Sequence, residues 1–129
     1  MILLDTHVLV WSLVEQRKLS RPATSAIRRS RASGSIAISA ITMVELVALM
    51  ERGRLRIRGT IESVVAKFTE DVSVLPITQE VAILTASFPL DFPRDPSDRI
   101  IAATARAEGI PLVTADQRVQ KCSLVKTIW

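Results

Sequence analysis

Ile2-Leu-Leu-Asp5-Thr-His-Val-Leu-Val-Trp11 opens on three aliphatic residues, meets one acid, and continues as a second apolar stretch. Consecutive apolar residues without alternation suit a strand buried on both faces, as in a parallel sheet. The longer stretch that follows reads as a helix over 7–15. A strand that ends in an acid and turns directly into a helix is the first half of a βα unit. Working outward, four more short apolar runs, at 35–39, 72–77, 111–114 and 124–128, read as strands. Helices are expected between them at 22–32, 40–52, 60–70, 78–87 and 97–108. Pro22 and Pro96 fall where first-turn prolines are tolerated, and Gly34, Gly53 and Gly109 fall where helices end. This alternation predicts an α/β/α sandwich around a mostly parallel sheet of four to five strands, one domain over 1–129.

The composition narrows the class. With 129 residues, 48% of them hydrophobic and 23% charged, the chain suits a folded domain and excludes a disordered one. A single cysteine, Cys122, excludes a disulfide framework and a thiolate zinc cluster, and a single histidine, His7, excludes a multi-histidine metal site. The start lacks a basic leader and no apolar run is long enough to span a bilayer, so no membrane association and a cytoplasmic location are expected.

The net charge is +4, unevenly spread. Between Arg17 and Lys67 stand eleven basic residues against three acids. Two knots concentrate them, Arg28-Arg29-Ser-Arg31 and Arg54-Leu-Arg56-Ile-Arg58. A basic half beside an acidic one suggests a polyanion docked near a cation site; the alternative is a solvated face. Aromatics are few (Trp11, Phe68, Phe88, Phe92, Trp129), which argues against a base-stacking platform and for contacts to phosphate.

Four acids fall at related places. Asp5 ends the first strand, Glu45 lies in the helix after the second, Asp98 opens a helix after a proline-rich loop, and Asp116 follows the 111–114 strand. In open parallel sheets the ligand site lies at the carboxyl ends of the strands, where these positions converge. Asp5, Asp95 and Asp116 also suit helix N-caps. Glu45 has no such role. It is the only charge in Ala40-Ile-Thr-Met-Val-Glu-Leu-Val-Ala-Leu-Met50, a helix apolar on nearly every face, and no Lys or Arg lies within one turn of it. Four neighbouring carboxylates raise one another's pKa unless a hard cation screens them, and an all-oxygen set points to Mg²⁺ or Mn²⁺. With the basic half, the residues read as a metal-dependent nuclease.

Leu3-Leu-Asp5-Thr-His-Val-Leu-Val-Trp11, Ser39-Ala-Ile-Thr-Met-Val-Glu45-Leu, Asp95-Pro-Ser-Asp98-Arg-Ile-Ile-Ala-Ala-Thr-Ala105 and Leu112-Val-Thr-Ala-Asp116 occur in the order and spacing of PIN-domain proteins. The chain most resembles the VapC-like ribonuclease toxins of toxin–antitoxin pairs, over nearly its whole length. The resemblance implies a Mg²⁺-dependent endoribonuclease, a homodimer, and a VapB-like antitoxin that covers the site. By motif match Asp5, Glu45, Asp98 and Asp116 form the acidic set, with Asp5 and Asp98 as direct metal ligands. Thr6 and Thr114 match polar positions that hydrogen-bond nearby, and Arg99 matches an arginine after the third acid. Asp98 is preferred over Asp95 as that acid because it directly precedes the apolar helix. His7 beside the first acid is read as structural. A catalytically inactive or housekeeping PIN-fold RNA-binding protein is the alternative. A receiver module lacks support, because 72–77 offers no acid at the end of the third strand.

Overall fold

The computed structural model describes residues 1–129. Five strands, β1 (Ile2–Leu4), β2 (Ile36–Ser39), β3 (Ser73–Leu75), β4 (Leu112–Val113) and β5 (Thr127–Ile128), form one sheet in the order β3-β2-β1-β4-β5, and every pairing is parallel. Seven helices connect them: α1 (Thr6–Val14), α2 (Arg21–Ala32), α3 (Ala40–Glu51), α4 (Ile61–Phe68), α5 (Gln79–Leu84), α6 (Pro96–Glu108) and α7 (Gln117–Gln120). From β1 the chain moves out to one edge and then returns to build the other. The carboxyl end of β1 is therefore the switch point where a crevice opens.

The β1 pleat divides the core. Ile2 and Leu4 face a cluster with Ile36, Ile38, Ala23, Ile27, Val64 and Phe68, which seals α1, α2 and α4 onto one side. Leu3 faces the other side and meets Ala37, Leu112, Val81, Ile101, Ala102 and Val119 under α5, α6 and α7. Alternate residues of one three-residue strand thus enter two cores, which is why the run carries no polar position. Cys122 is buried in the second core and packs there, as does Trp129 at the margin of the first.

The predicted α/β/α sandwich is the observed one, with four differences of detail. The third strand shrinks to Ser73–Leu75, and it is not covered on both faces: β3 is an edge, with Ser73 and Val74 exposed. The helix expected over 78–87 stops at Leu84 and tightens into a 3-10 turn over Thr85–Ser87. There the Thr85 and Ser87 hydroxyls donate to the carbonyls of Ala82 and Leu84, competing with the helical ladder. The last strand is only two residues long, because Cys122–Val125 forms a turn first. Finally α3, apolar in sequence, is not buried on nearly every face: only Thr42 and Leu46 are fully buried, and Val44 is 62% exposed. No helix is long and apolar enough to cross a membrane.

Candidate active site

Asp5 leaves β1 and begins α1. One carboxylate oxygen accepts from the Thr6 amide at 2.7 Å, capping the helix, and the other accepts from the Thr114 hydroxyl at 2.9 Å. The cap and the candidate site role therefore coexist, on different oxygens of one side chain. Thr114 follows β4, and its hydroxyl also accepts from the Asp116 amide at 3.1 Å. Two adjacent strands are thereby locked together at their carboxyl ends through side chains.

Glu45 finds its partner across the crevice. The buried Thr6 hydroxyl donates to Glu45 Oε1 at 2.6 Å and lies 3.0 Å from the buried Thr42 hydroxyl. Glu45 forms no ion pair; the four ion pairs of the structure involve neither it, nor Asp5, nor Asp98. Hydrogen bonding from a neutral hydroxyl satisfies the carboxylate without neutralising it.

Asp98 sits in the first turn of α6, half-buried, with no side-chain hydrogen bond. Burial and then the charges of Asp5, Asp95, Glu45 and Asp116 push its carboxyl up to about 7. Asp5 is raised by burial, against the donated bond from Thr114, the nearby His7 ring and the Thr6 amide, and Asp116 raises it further. Glu45 is also raised, first by burial and then by Asp5 and Asp95, against the Thr6 hydroxyl and His7. The four acids singled out in the sequence are thus electrostatic neighbours, assembled from four separate chain segments.

They are not equivalent. Asp116 caps α7 through the Arg118 amide at 2.9 Å and pairs with the Arg118 guanidinium at 3.3 Å, so its charge is partly countered. Asp95 caps α6 through the Ser97 amide at 2.9 Å and is exposed, yet it bears on both Glu45 and Asp98. No three of these acids close on a common point in this arrangement. Burial first, and then the like charges of the neighbouring carboxylates, displace Asp98 upward.

Arg99 is not brought to the acids. Its Nε donates to the Pro93 carbonyl at 2.9 Å and its terminal nitrogen to the Thr85 carbonyl at 3.1 Å, with the guanidinium over Phe92. It ties the proline-rich loop to α6 beside Asp98. The two arginine knots are exposed but separate. Arg28 and Arg31 line a recess of about 370 Å³ with Arg17, while Arg29 lies on the outer face of α2. Arg54 lines a different cleft of about 420 Å³, together with Thr6, His7, Glu45 and Arg52. Arg56 and Arg58 lie on the exposed connector beyond it. Arg52 joins this cleft without having stood out in the sequence. Its position seven residues after Glu45, on the same face of α3, was the available signal.

The PIN domain family profile matches residues 2–123. Ribonuclease VapC22 of Mycobacterium tuberculosis is 37% identical over 119 residues, which span 92% of this chain and 89% of that protein. Among solved structures, VapBC2 from Rickettsia felis bound to a promoter DNA fragment superposes with a TM-score of 0.73 at 17% identity, covering 98% of this chain and 97% of that one. DNA-bound VapBC from Salmonella typhimurium gives 0.73 at 20% identity over 98% and 95% of the two chains. These two likenesses concern the fold. With five parallel strands, acids at their carboxyl ends and a relative of this identity over nearly the whole length, the chain belongs to the PIN-domain family as a VapC-like member.

Proposed function

We propose that the protein is an endoribonuclease that hydrolyses RNA phosphodiester bonds and acts as the toxin of a toxin–antitoxin pair. The observation that carries this is the crevice at the end of β1, where Asp5, Glu45 and Asp98, from three separate chain segments, act on one another's charge. The likeness to a named ribonuclease over nearly its whole length supports it, and the crystallised VapBC structures support a VapB-like antitoxin as partner. A homodimer remains part of the proposal by family resemblance.

The donor chemistry fits a hard divalent cation, Mg²⁺ or Mn²⁺. The set is all oxygen and excludes Cys, and Asp98 has neither a hydrogen-bond donor nor a cation of its own. Asp5 and Asp98 would hold the ion, with Glu45 and Asp116 alongside. When bound, such an ion lowers the pKa of water and offsets the charge of a phosphate under attack.

The chain's own residues do the positioning. Thr114 and the Thr6 amide fix both oxygens of Asp5, so its carboxylate has one orientation. The Thr6 hydroxyl aims Glu45, and Thr42 fixes Thr6 in turn. Burial and the neighbouring acids push the Asp98 carboxyl up to about 7, and Asp5 and Glu45 are raised in the same direction. Arg52 and Arg54 place positive charge in the cleft beside Glu45, where a polyanionic strand meets the acids. Purified protein incubated with RNA in Mg²⁺ and in EDTA tests the proposal. Cleavage in Mg²⁺, absence of cleavage in EDTA and loss of cleavage in Asp5→Asn are expected. Full turnover by Asp5→Asn would remove the acids from the chemistry.

A further inference from the structure

The scarcity of aromatic residues argued against base stacking, but the fold gathers three of the rings into one row. His7 and Trp11 lie one helical turn apart on α1, with ring centroids 6.1 Å apart and planes tilted by 52°. Trp129, just past β5, continues the row at 6.1 Å from Trp11 with a tilt of 54°. His7 is exposed, and the two tryptophans are half-buried. Trp129 thus supports Trp11 from the core side, Trp11 backs His7, and the imidazole stands at the open end. Lys18 Nζ is 5.6 Å from the Trp11 ring centre and 3.1 Å from Glu15, so the middle ring of the row carries a charge pair beside it.

The row ends at the acids. His7 lines the same cleft of about 420 Å³ as Thr6, Glu45, Arg52 and Arg54, and its ring acts on the carboxyls of both Asp5 and Glu45. The cleft therefore offers both features that a nucleotide requires, guanidinium groups for phosphate and an aromatic face for a base. A ring backed by a second ring also loses little freedom when a third stacks upon it. Aromatic–base stacking tolerates any sequence, because every base has a π face, but it demands that the base be unpaired.

We propose that the His7–Trp11 pair is a stacking step for an unpaired nucleobase beside the reacting phosphodiester, with Arg52 and Arg54 taking neighbouring phosphates in the same cleft. The step rests on the ribonuclease function proposed above. His7 is then a specificity residue that acts through its ring face rather than through a proton.

The chain has only two tryptophans, both in the row, so its intrinsic fluorescence reports on the step directly. A 2′-O-methyl RNA oligomer that resists cleavage is titrated in EDTA, once as a single strand and once annealed to its complement. The single strand should quench the fluorescence, in wild type and in Trp129→Phe, and the duplex should not. His7→Ala should bind the single strand about 5- to 150-fold more weakly, while His7→Phe, which keeps a ring but no titratable nitrogen, should stay near wild type. With a cleavable RNA in Mg²⁺, the same His7→Ala loss should appear in KM more than in kcat. Quenching equal for duplex and single strand would overturn the proposal. So would His7→Phe being as weak as His7→Ala, or a His7→Ala defect confined to capture of the antitoxin. RNA cleavage untouched by His7→Ala sinks the stacking step alone. No RNA cleavage by wild type sinks the ribonuclease function, and the step with it.

Discussion

Asp98→Asn should make the metal-free protein more stable at neutral pH. Asp98 has no hydrogen-bond donor to lose, and four acids oppose its charge. A rise from 3.8 to about 7, at about 1.4 kcal/mol for each tenfold in proton affinity, corresponds to about 4 kcal/mol against the ionised form. Asp98 is half-exposed, and solvent screening brings that to about 1–2 kcal/mol. The sign follows from linkage: a carboxyl whose folded-state pKa is raised binds its proton more tightly in the folded than in the unfolded chain. Its contribution is fully present below about 4 and is lost as pH rises through about 7. Thermal melts of wild type and Asp98→Asn in EDTA should coincide near pH 4, separate steadily as pH rises, and settle above pH 7 at a gap of about 3–8 °C in favour of the variant. Added Mg²⁺ should raise the melting temperature of wild type and leave the variant nearly unmoved. A variant that melts below wild type at pH 8, or a gap that does not change with pH, would refute the electrostatic account of this crevice.

Other perturbations separate the roles of the neighbouring groups. Glu45→Gln keeps an acceptor for the Thr6 hydroxyl, so its melting temperature in EDTA should equal or exceed that of wild type while the increment from Mg²⁺ shrinks; a metal-independent loss of about 3–5 kcal/mol would instead reveal a structural ion pair. Thr6→Val removes the only side-chain donor to Glu45 and the partner of Thr42, and urea unfolding should show a loss of about 1–3 kcal/mol. Neutralising Arg28, Arg29 and Arg31, or Arg54, Arg56 and Arg58, should weaken RNA binding similarly across sequences and flatten its salt dependence by about 0.7 in log–log slope for each lost phosphate contact. Titration at three salt concentrations checks this, and an unchanged slope in both triplets would remove those arginines from the RNA path.

Much of the architecture was legible because few physical rules compete in a parallel sheet. Strands buried on both faces must be apolar throughout, and helix starts and stops were marked by Pro22 and Pro96 in first turns, by Asp95 at a cap and by Gly109 in the left-handed conformation at the end of α6. What failed was coverage. A string of apolar residues says that a surface avoids water, not which neighbour covers it, so edge strand β3 and the open side of α3 read the same as buried ones. Among the acids, Glu45 was legible from its isolation in an apolar helix. Its satisfaction by Thr6 was not, because that hydroxyl lies 39 positions away in sequence. The bonds of Arg99 to the Pro93 and Thr85 carbonyls were hidden for a related reason: proximity along the chain to Asp98 carries no information about which way a long side chain turns. The aromatic row was invisible because Trp129 meets Trp11 only once β5 has joined the sheet.

The bond from Thr114 to Asp5 spans 109 positions, nearly the length of the molecule. Thr114 leaves β4, which enters the sheet between β1 and β5, so this oxygen of Asp5 has no donor until residue 114 is in place. During synthesis the first acid to emerge thus waits for a late donor. A ribosome-bound chain that already contains Asp5, Glu45 and Asp98 still lacks the strand that fixes their geometry.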